Sequence, residues 1–187
     1  MPTADEHLKD AEHRMHGAND ALQRELESVR TGRARPGLVE HIVVEYYGTD
    51  MPLNQLASVS VPEARVLAIQ PWDKTAMSAV ERAIHKSDLG ITPNNDGSVI
   101  RLTMPVLTED RRKDLARSVR KRVEDARVAV RNVRRDVQDK IRAQEKNKEL
   151  SQDDLRRFQD QLQKITDTNI AQIDKTGEAK ESELMEV

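Results

Sequence analysis

Arg120, Arg127, Arg131 and Arg134 are the residues of this chain whose type and spacing most clearly suggest chemistry. Wound at about 100° per residue, they fall on one line of a helix. That line lies about a quarter turn from a packing face of Val119, Val123, Ala126, Val130, Val133, Val137 and Ile141. One stripe can be buried while the other presents guanidinium forks at intervals of one or two turns. A guanidinium is planar, permanently charged and able to grip two oxygens at once, which suits phosphate. Arg135 and, upstream, Arg30 extend the series. The plainer alternative, a solvated basic face, stays open at this point.

Other chemistry is thin. The sequence holds no cysteine, which excludes a disulfide framework, a thiol nucleophile and a thiolate metal site. No phosphate-binding glycine loop and no nucleophile elbow occurs. His7, His13 and His16 share one predicted helix, and His13 and His16 have the i,i+3 spacing of a shared metal; solvated histidines are the preferred reading, and no metal is expected. No Asp or Glu lies in an obviously apolar setting that would tune it for acid–base work. With aromatic residues at 2%, binding through base stacking is not expected. Trp72, Tyr46 and Tyr47 are expected to fill a small core.

Overall charge hides the basic series. The net charge is -2, yet residues 108–148 hold 15 Lys and Arg against 8 Asp and Glu. Residues 1–30 hold 4 against 7, residues 151–187 hold 5 against 9, and residues 31–107 hold 7 against 8. One basic surface on an acidic body is the expectation, fit for local binding of a polyanion. The start, MPTADEHLKD, lacks the basic and apolar regions of a signal peptide, and no apolar run approaches the ~20 residues of a membrane span. A cytoplasmic protein without a membrane partner is expected.

The elements that must position the arginines follow from periodicity. Residues 4 to about 30 read as one helix through Leu8, Ala11, Met15, Ala18, Leu22, Leu26 and Val29. Thr31–Gly37 breaks it with two glycines and a proline. The period then changes to two, with Ile42, Val44 and Tyr46 on one strand face and a turn at Gly48-Thr49-Asp50. Strands follow at Ala57–Val61 and Arg65–Gln70, divided by Pro62-Glu63. Asp73 caps a helix that stops near Gly90, and Asp96-Gly97 turns a hairpin into Val99–Thr103. Thr108 starts a helix of roughly 38 residues, about 57 Å at 1.5 Å per residue. A break at Asn147–Leu150 precedes a last helix capped at Ser151-Gln152-Asp153-Asp154, with Leu155, Phe158, Leu162, Ile165 and Ile173 buried and Asn169 on the same seam as a register-fixing polar residue.

These elements predict an α+β protein: a long antiparallel three-helix bundle from 1–30 and 106–187, with a small β/α/β domain inserted at 31–105. Two crossings, 31–37 and 104–107, join the two and carry Gly32, Pro36, Gly37 and Pro105 as candidate hinge residues.

Five segments carry a resemblance: Val44-Glu45-Tyr46-Tyr47-Gly48-Thr49, Pro52-Leu53-Asn54-Gln55-Leu56-Ala57-Ser58-Val59, Ser87-Asp88-Leu89-Gly90, Leu107 to Leu115, and Arg127 to Asp136. In this order, they make the chain similar to the bacterial ribosome recycling factor family over essentially its whole length. The resemblance implies an L-shaped molecule with the bundle as its rRNA-binding long arm. It implies a non-enzymatic role after peptide release, in which the factor enters the post-termination ribosome. Elongation factor G and GTP then split the subunits, freeing mRNA and tRNA. Arg131 and Arg134 match that family's large-subunit rRNA surface, with Arg127, Arg135, Arg30 and Arg120 nearby. No cofactor is implied, and the factor acts as a monomer. Two rivals remain: a basic helical ribosome- or RNA-binding adaptor without GTPase-driven splitting, and a metal enzyme built on the three histidines.

Overall fold

The computed structural model describes residues 3–186. Among them are four α-helices, α1 (Ala4–Glu27), α2 (Met77–Lys86), α3 (Glu109–Lys146) and α4 (Gln152–Met185). Six strands complete the fold: β1 (Val43–Tyr46), β2 (Thr49–Pro52), β3 (Ala57–Glu63), β4 (Val66–Pro71), β5 (Asn94–Asn95) and β6 (Ile100–Thr103). The chain forms two compact units. The chain up to Val29 belongs with Asp110–Met185, and Arg30–Glu109 forms the other.

In the helical unit, α1 starts on a capping box. The Thr3 hydroxyl accepts from Glu6 N at 3.3 Å, and the Glu6 carboxylate accepts from Thr3 N at 2.6 Å, so two orphan donors of the first turn are satisfied. The helix closes at Glu27, three residues short of Arg30, because Ser28 turns its hydroxyl back onto Glu25 O at 2.7 Å. At the far end of α3, Lys148 takes a left-handed φ of 63°, and Ser151 then caps α4 by accepting from Asp154 N at 3.1 Å.

Cross-helix pairs fix the directions. Asn19 with Asn169 and Met15 with Thr166 make α1 and α4 parallel, whereas Arg120 with Glu181 and Arg127 with Asp174 make α3 antiparallel to α4. Arg14 with Asp136 and Arg122 with Glu25 O set α3 antiparallel to α1. All seven apolar residues expected on the α3 seam are buried. Each Val or Ile removed from water there contributes about 1.5–3 kcal/mol. The α4 seam is more polar than expected: Thr166, Asn169, Lys180 and Glu183 are buried alongside Phe158, Leu162, Ile173 and Leu184, while Leu155 and Ile165 are only half-buried. Asn19 Nδ2 donates to Asn169 Oδ1 at 2.7 Å, so a partly buried amide pair holds the register. Gly177 marks a close approach, since a Cβ there would sit 2.6 Å from Val123 Cγ2.

In the other unit, β1 and β2 form a hairpin, and β3-β4-β6-β5 form an antiparallel sheet. Their core is aliphatic: Val39, Leu53, Leu67, Ile69, Val80, Ile84, Ile100 and Leu102 are fully buried. The expectation that the aromatics fill it is corrected. Trp72 is 67% and Tyr47 80% exposed. In β4 the odd residues Leu67, Ile69 and Pro71 point inward, so the strand's alternation carries Trp72 outward. Tyr47 sits on the β1–β2 turn itself, where Tyr47 and Gly48 both take positive φ (49° and 76°), the signature of a two-residue hairpin turn. That turn precedes the expected one, and Thr49 and Asp50 already belong to β2. Tyr46 packs partly on the core and donates its hydroxyl to Asp73, holding that carboxylate below and the phenol above their ordinary pKa ranges. Pro62 and Glu63 do not divide two strands. They end β3, Pro62 within a register shift between Ser60 and Glu63 and Glu63 at its close. Asp73 caps a single 3₁₀ turn through Thr75 N (2.9 Å), and α2 follows and stops at Lys86 rather than near Gly90. At the β5–β6 turn, Asp96 accepts from Val99 N at 2.8 Å and Ser98 N at 3.0 Å, which pulls its carboxyl down to about 2.

Candidate nucleic-acid interface

The arginine series lies on the flank of α3 that faces α4, and its members differ in what holds them. Arg120 donates from Nε and Nη2 to Glu181 Oε2 at 3.0 and 2.9 Å. Arg127 donates from Nε to Asp174 Oδ1 at 2.8 Å, and from Nη1 to Glu124 Oε2 at 3.1 Å. Each acid raises the pKa of its arginine further, Glu181 for Arg120 and Asp174 first for Arg127. The stripe does lie outside the buried seam, with Arg120 exposed and Arg127 half-buried, but at these two positions the forks are engaged by acids and do not stand open. Both residues lie close enough to the buried seam for their side chains to span it and reach acids on α4.

The next part of the series is different. Arg131 Nη1 donates to Glu124 Oε1 at 3.1 Å, so Glu124 holds two arginines with its two oxygens. That double contact, with Arg127 as the larger cause and Arg131 next, keeps the Glu124 carboxyl below its ordinary pKa. Arg134 Nη1 donates to the neutral Gln163 Oε1 at 3.2 Å, and Arg135 is exposed. On the opposite flank, Arg14 and Lys140 hold Asp136 at 2.6 and 3.0 Å, and Arg122 donates to Glu25 O at 2.7 Å. Within the series, then, Arg131 shares its one acid with Arg127, Arg134 meets a neutral amide and Arg135 has no acid partner among the described residues. Neither the acids on α4 nor the Gln163 contact was identified from the sequence.

Arg30 is exposed and lies beyond the end of α1, on the segment entering the sheet unit. Of the four candidate hinge residues, Gly32 takes φ 78°, a left-handed conformation that favours glycine. Pro36 and Gly37 lie within the 3₁₀ turn Pro36–Leu38, where Val39 N donates to Pro36 O at 3.0 Å. Ala34 N donates to Ala64 O at 2.8 Å and Met104 N to Arg65 O at 2.7 Å, so both crossings are fastened to the β3–β4 turn at these points. Pro105 lies just beyond, exposed.

A groove of about 430 Å³ in the sheet unit runs between the β1–β2 hairpin and α2. Glu45 and Asp50 face Arg82 and Lys86 across it, a compensated lining that offers a polyanion nothing. No group of three or more metal-ligating side chains occurs among the described residues, His7, His13 and His16 included. Nor, among them, is any helix long and apolar enough to cross a membrane.

Residues 22–185 match the family model described as ribosome recycling factor. The ribosome-recycling factor of Halalkalibacterium halodurans is 58% identical over 180 residues, covering 96% of this chain and 97% of that one. The ribosome-recycling factor of Carboxydothermus hydrogenoformans is 54% identical at the same coverage. A solution structure of a ribosome recycling factor matches with a TM-score of 0.76 and 43% identity, covering 100% of both chains. A second structural match has a TM-score of 0.65 and 44% identity, covering 98% of this chain and 99% of the other. It belongs to models of the T. thermophilus ribosome recycling factor and E. coli elongation factor G bound to the E. coli post-termination complex.

Proposed function

The chain belongs to the ribosome recycling factor family, and from that membership we propose how it works. It recycles ribosomes: it binds the post-termination ribosome in the cytoplasm as a monomer and, with elongation factor G hydrolysing GTP, splits the subunits. The observation that carries this reading is the full-length likeness to ribosome recycling factors, one of them placed with elongation factor G on a post-termination complex. The energy comes from the partner's GTP, so this chain needs no catalytic group of its own.

Arg131, Arg134 and Arg135 provide the grip on large-subunit rRNA. They hold excess charge on a rigid helix, which suits backbone phosphates and gives salt-sensitive affinity with little base readout. Arg120 and Arg127 brace α4 against α3 and add to the field, and Arg30 adds a charge on the linking segment. The pivot lies at the two crossings, with Gly32 and Pro105 as its residues; Pro36 and Gly37, held in the 3₁₀ turn, move with the sheet unit.

The test is a subunit-splitting assay on post-termination ribosomes, with and without elongation factor G and GTP. Splitting that requires all three components is the expected result. Tight ribosome binding with no splitting under either condition would favour the adaptor reading instead.

A further inference from the structure

We propose that Glu124 is a built-in counter-anion that limits the affinity of the arginine series for phosphate and speeds its release. This rests on the reading that Arg131 and its neighbours grip rRNA phosphates. The two carboxylate oxygens of Glu124 each take one guanidinium, Arg127 Nη1 and Arg131 Nη1, both at 3.1 Å. The carboxylate is half-exposed and stays ionised, so it occupies the donors that an incoming phosphate oxygen would use. Asp174 keeps Arg127 in place from the other side at 2.6 Å, whereas Glu124 is the sole acid on Arg131 among the described residues. Phosphate must therefore displace Glu124 to use Arg131 Nη1, and otherwise approaches the remaining donors against the charge of a fixed carboxylate. Glu124, one helical turn from Arg127 and two from Arg131, is positioned to re-form both contacts as the phosphate leaves. A factor that must dissociate after each round benefits from a competitor fixed at the site. A surface whose phosphates match the spacing of several arginines displaces this competitor more readily than one whose phosphates do not, so Glu124 also favours the structured site over generic polyanions.

The experiment measures binding and dissociation of the full chain on purified large subunits, and on bulk tRNA as a generic polyanion, for Glu124→Gln and Asp125→Asn. Asp125 neighbours Glu124, is exposed and forms no ion pair among the described residues, so its amide variant makes the same change in net charge without opening the clamp. Glu124→Gln is expected to bind about three- to tenfold more tightly than Asp125→Asn, the scale of two exposed ion pairs removed as competitors. Most of the gain should lie in slower dissociation, and the proportional gain should be larger on tRNA. Adding Arg131→Ala to Glu124→Gln should remove much of the gain, since the two act as a unit. Glu124→Ala, a better helix former, repeats the measurement should the amide variant lose helix content. Equal gains for the Glu124 and Asp125 variants would overturn the clamp while leaving the rRNA reading intact. If Arg131→Ala and Arg134→Ala alone bind large subunits as well as the unaltered chain, the rRNA reading fails and the clamp with it.

Discussion

Along α3, Arg120 and Arg127 close onto Glu181 and Asp174 of α4, whereas further on Arg134 meets, among the described residues, only the neutral Gln163 and Arg135 stands exposed. The residue type and helix flank are shared by Arg120, Arg127 and Arg134. What differs is the facing helix, which offers acids at one end and an amide at the other. The difference teaches that arginines on a seam can be divided by their partners into those that join helices and those free to recruit a ligand. An arginine tied to an acid of the facing helix gives little extra on meeting phosphate, because it must first give up an equivalent contact that also joins the helices. Arg131, by contrast, gives up only a share of Glu124 on its own helix.

The largest expected effect separates these two stretches directly. Arg131→Ala and Arg134→Ala should each weaken ribosome binding by about ten- to a hundredfold, the scale of a charge-assisted contact of roughly 1.5–3 kcal/mol. Their melting temperatures should hardly move, since surface substitutions change stability within about ±0.5 kcal/mol. Arg120→Ala and Arg127→Ala should show the inverse pattern, with a modest stability loss and a smaller loss of binding. Binding isotherms and thermal melts on all four variants decide it. An equal binding loss across the four would abolish the distinction.

Next in size is the packing that brings α4 to its acids. Gly177→Ala puts a Cβ against Val123 and should cost about 1–3 kcal/mol through overpacking. The second variant, Gly17→Ala on α1, meets nothing within 4 Å and should stabilise by about 0.5–1 kcal/mol. Pairing Gly177→Ala with Val123→Ala should recover part of the loss. Opposite signs for the two glycine variants in denaturant titrations would locate the tight contact at the α3–α4 seam.

Much of this was legible before the structure. The cap at Ser151, the α3 seam from Val119 to Ile141 and the register role of Asn169 follow from local spacing, because helix period and capping act over a few residues. The partners of the arginines were not legible. Asp174 and Glu181 lie 47 and 61 residues from theirs, and only the register of packed helices joins them. Lys180 and Glu183, paired at 3.4 Å one turn apart on α4, are local in sequence, but their burial depends on the packed helices and was not legible. The sheet unit misled differently: aromatic bulk suggested a core, but strand parity turned Trp72 outward and the hairpin turn claimed Tyr47.

A smaller effect is expected at the pivot. Gly32 holds φ 78°, so proline, fixed near -65°, would distort the segment rather than stiffen it. Gly32→Ala is the cleaner restraint and should cost about 1–2 kcal/mol in that conformation, with Gly32→Asn tolerated better. If the sheet unit moves while the arginines hold rRNA, the alanine variant should lose splitting rate more than affinity. Equal losses in an isotherm and a splitting time course would mean that the segment only positions the unit.

The smallest effect tests the other flank of the same helix. Asp136 follows Arg135 directly but faces α1, where Arg14 first and Lys140 second hold its carboxyl below its ordinary 3.8. A carboxyl depressed in the folded state contributes stability that is fully present above its unfolded pKa. That contribution fades as pH falls through the lower folded value. The window is therefore below about pH 4, and nothing should change between pH 6 and 9. Asp136→Asn should lower the melting temperature slightly at neutral pH and reduce its fall under acid, because the variant has no proton to take up. The pair is largely exposed and screened, so added salt should shrink the difference at neutral pH. Melts of both proteins across pH 2.5–7 at two salt concentrations measure it. Parallel acid slopes would show that the Arg14–Asp136 contact follows the helix packing without reinforcing it. Arg14 and Arg122 would then be the surplus charges to test next for rRNA contact.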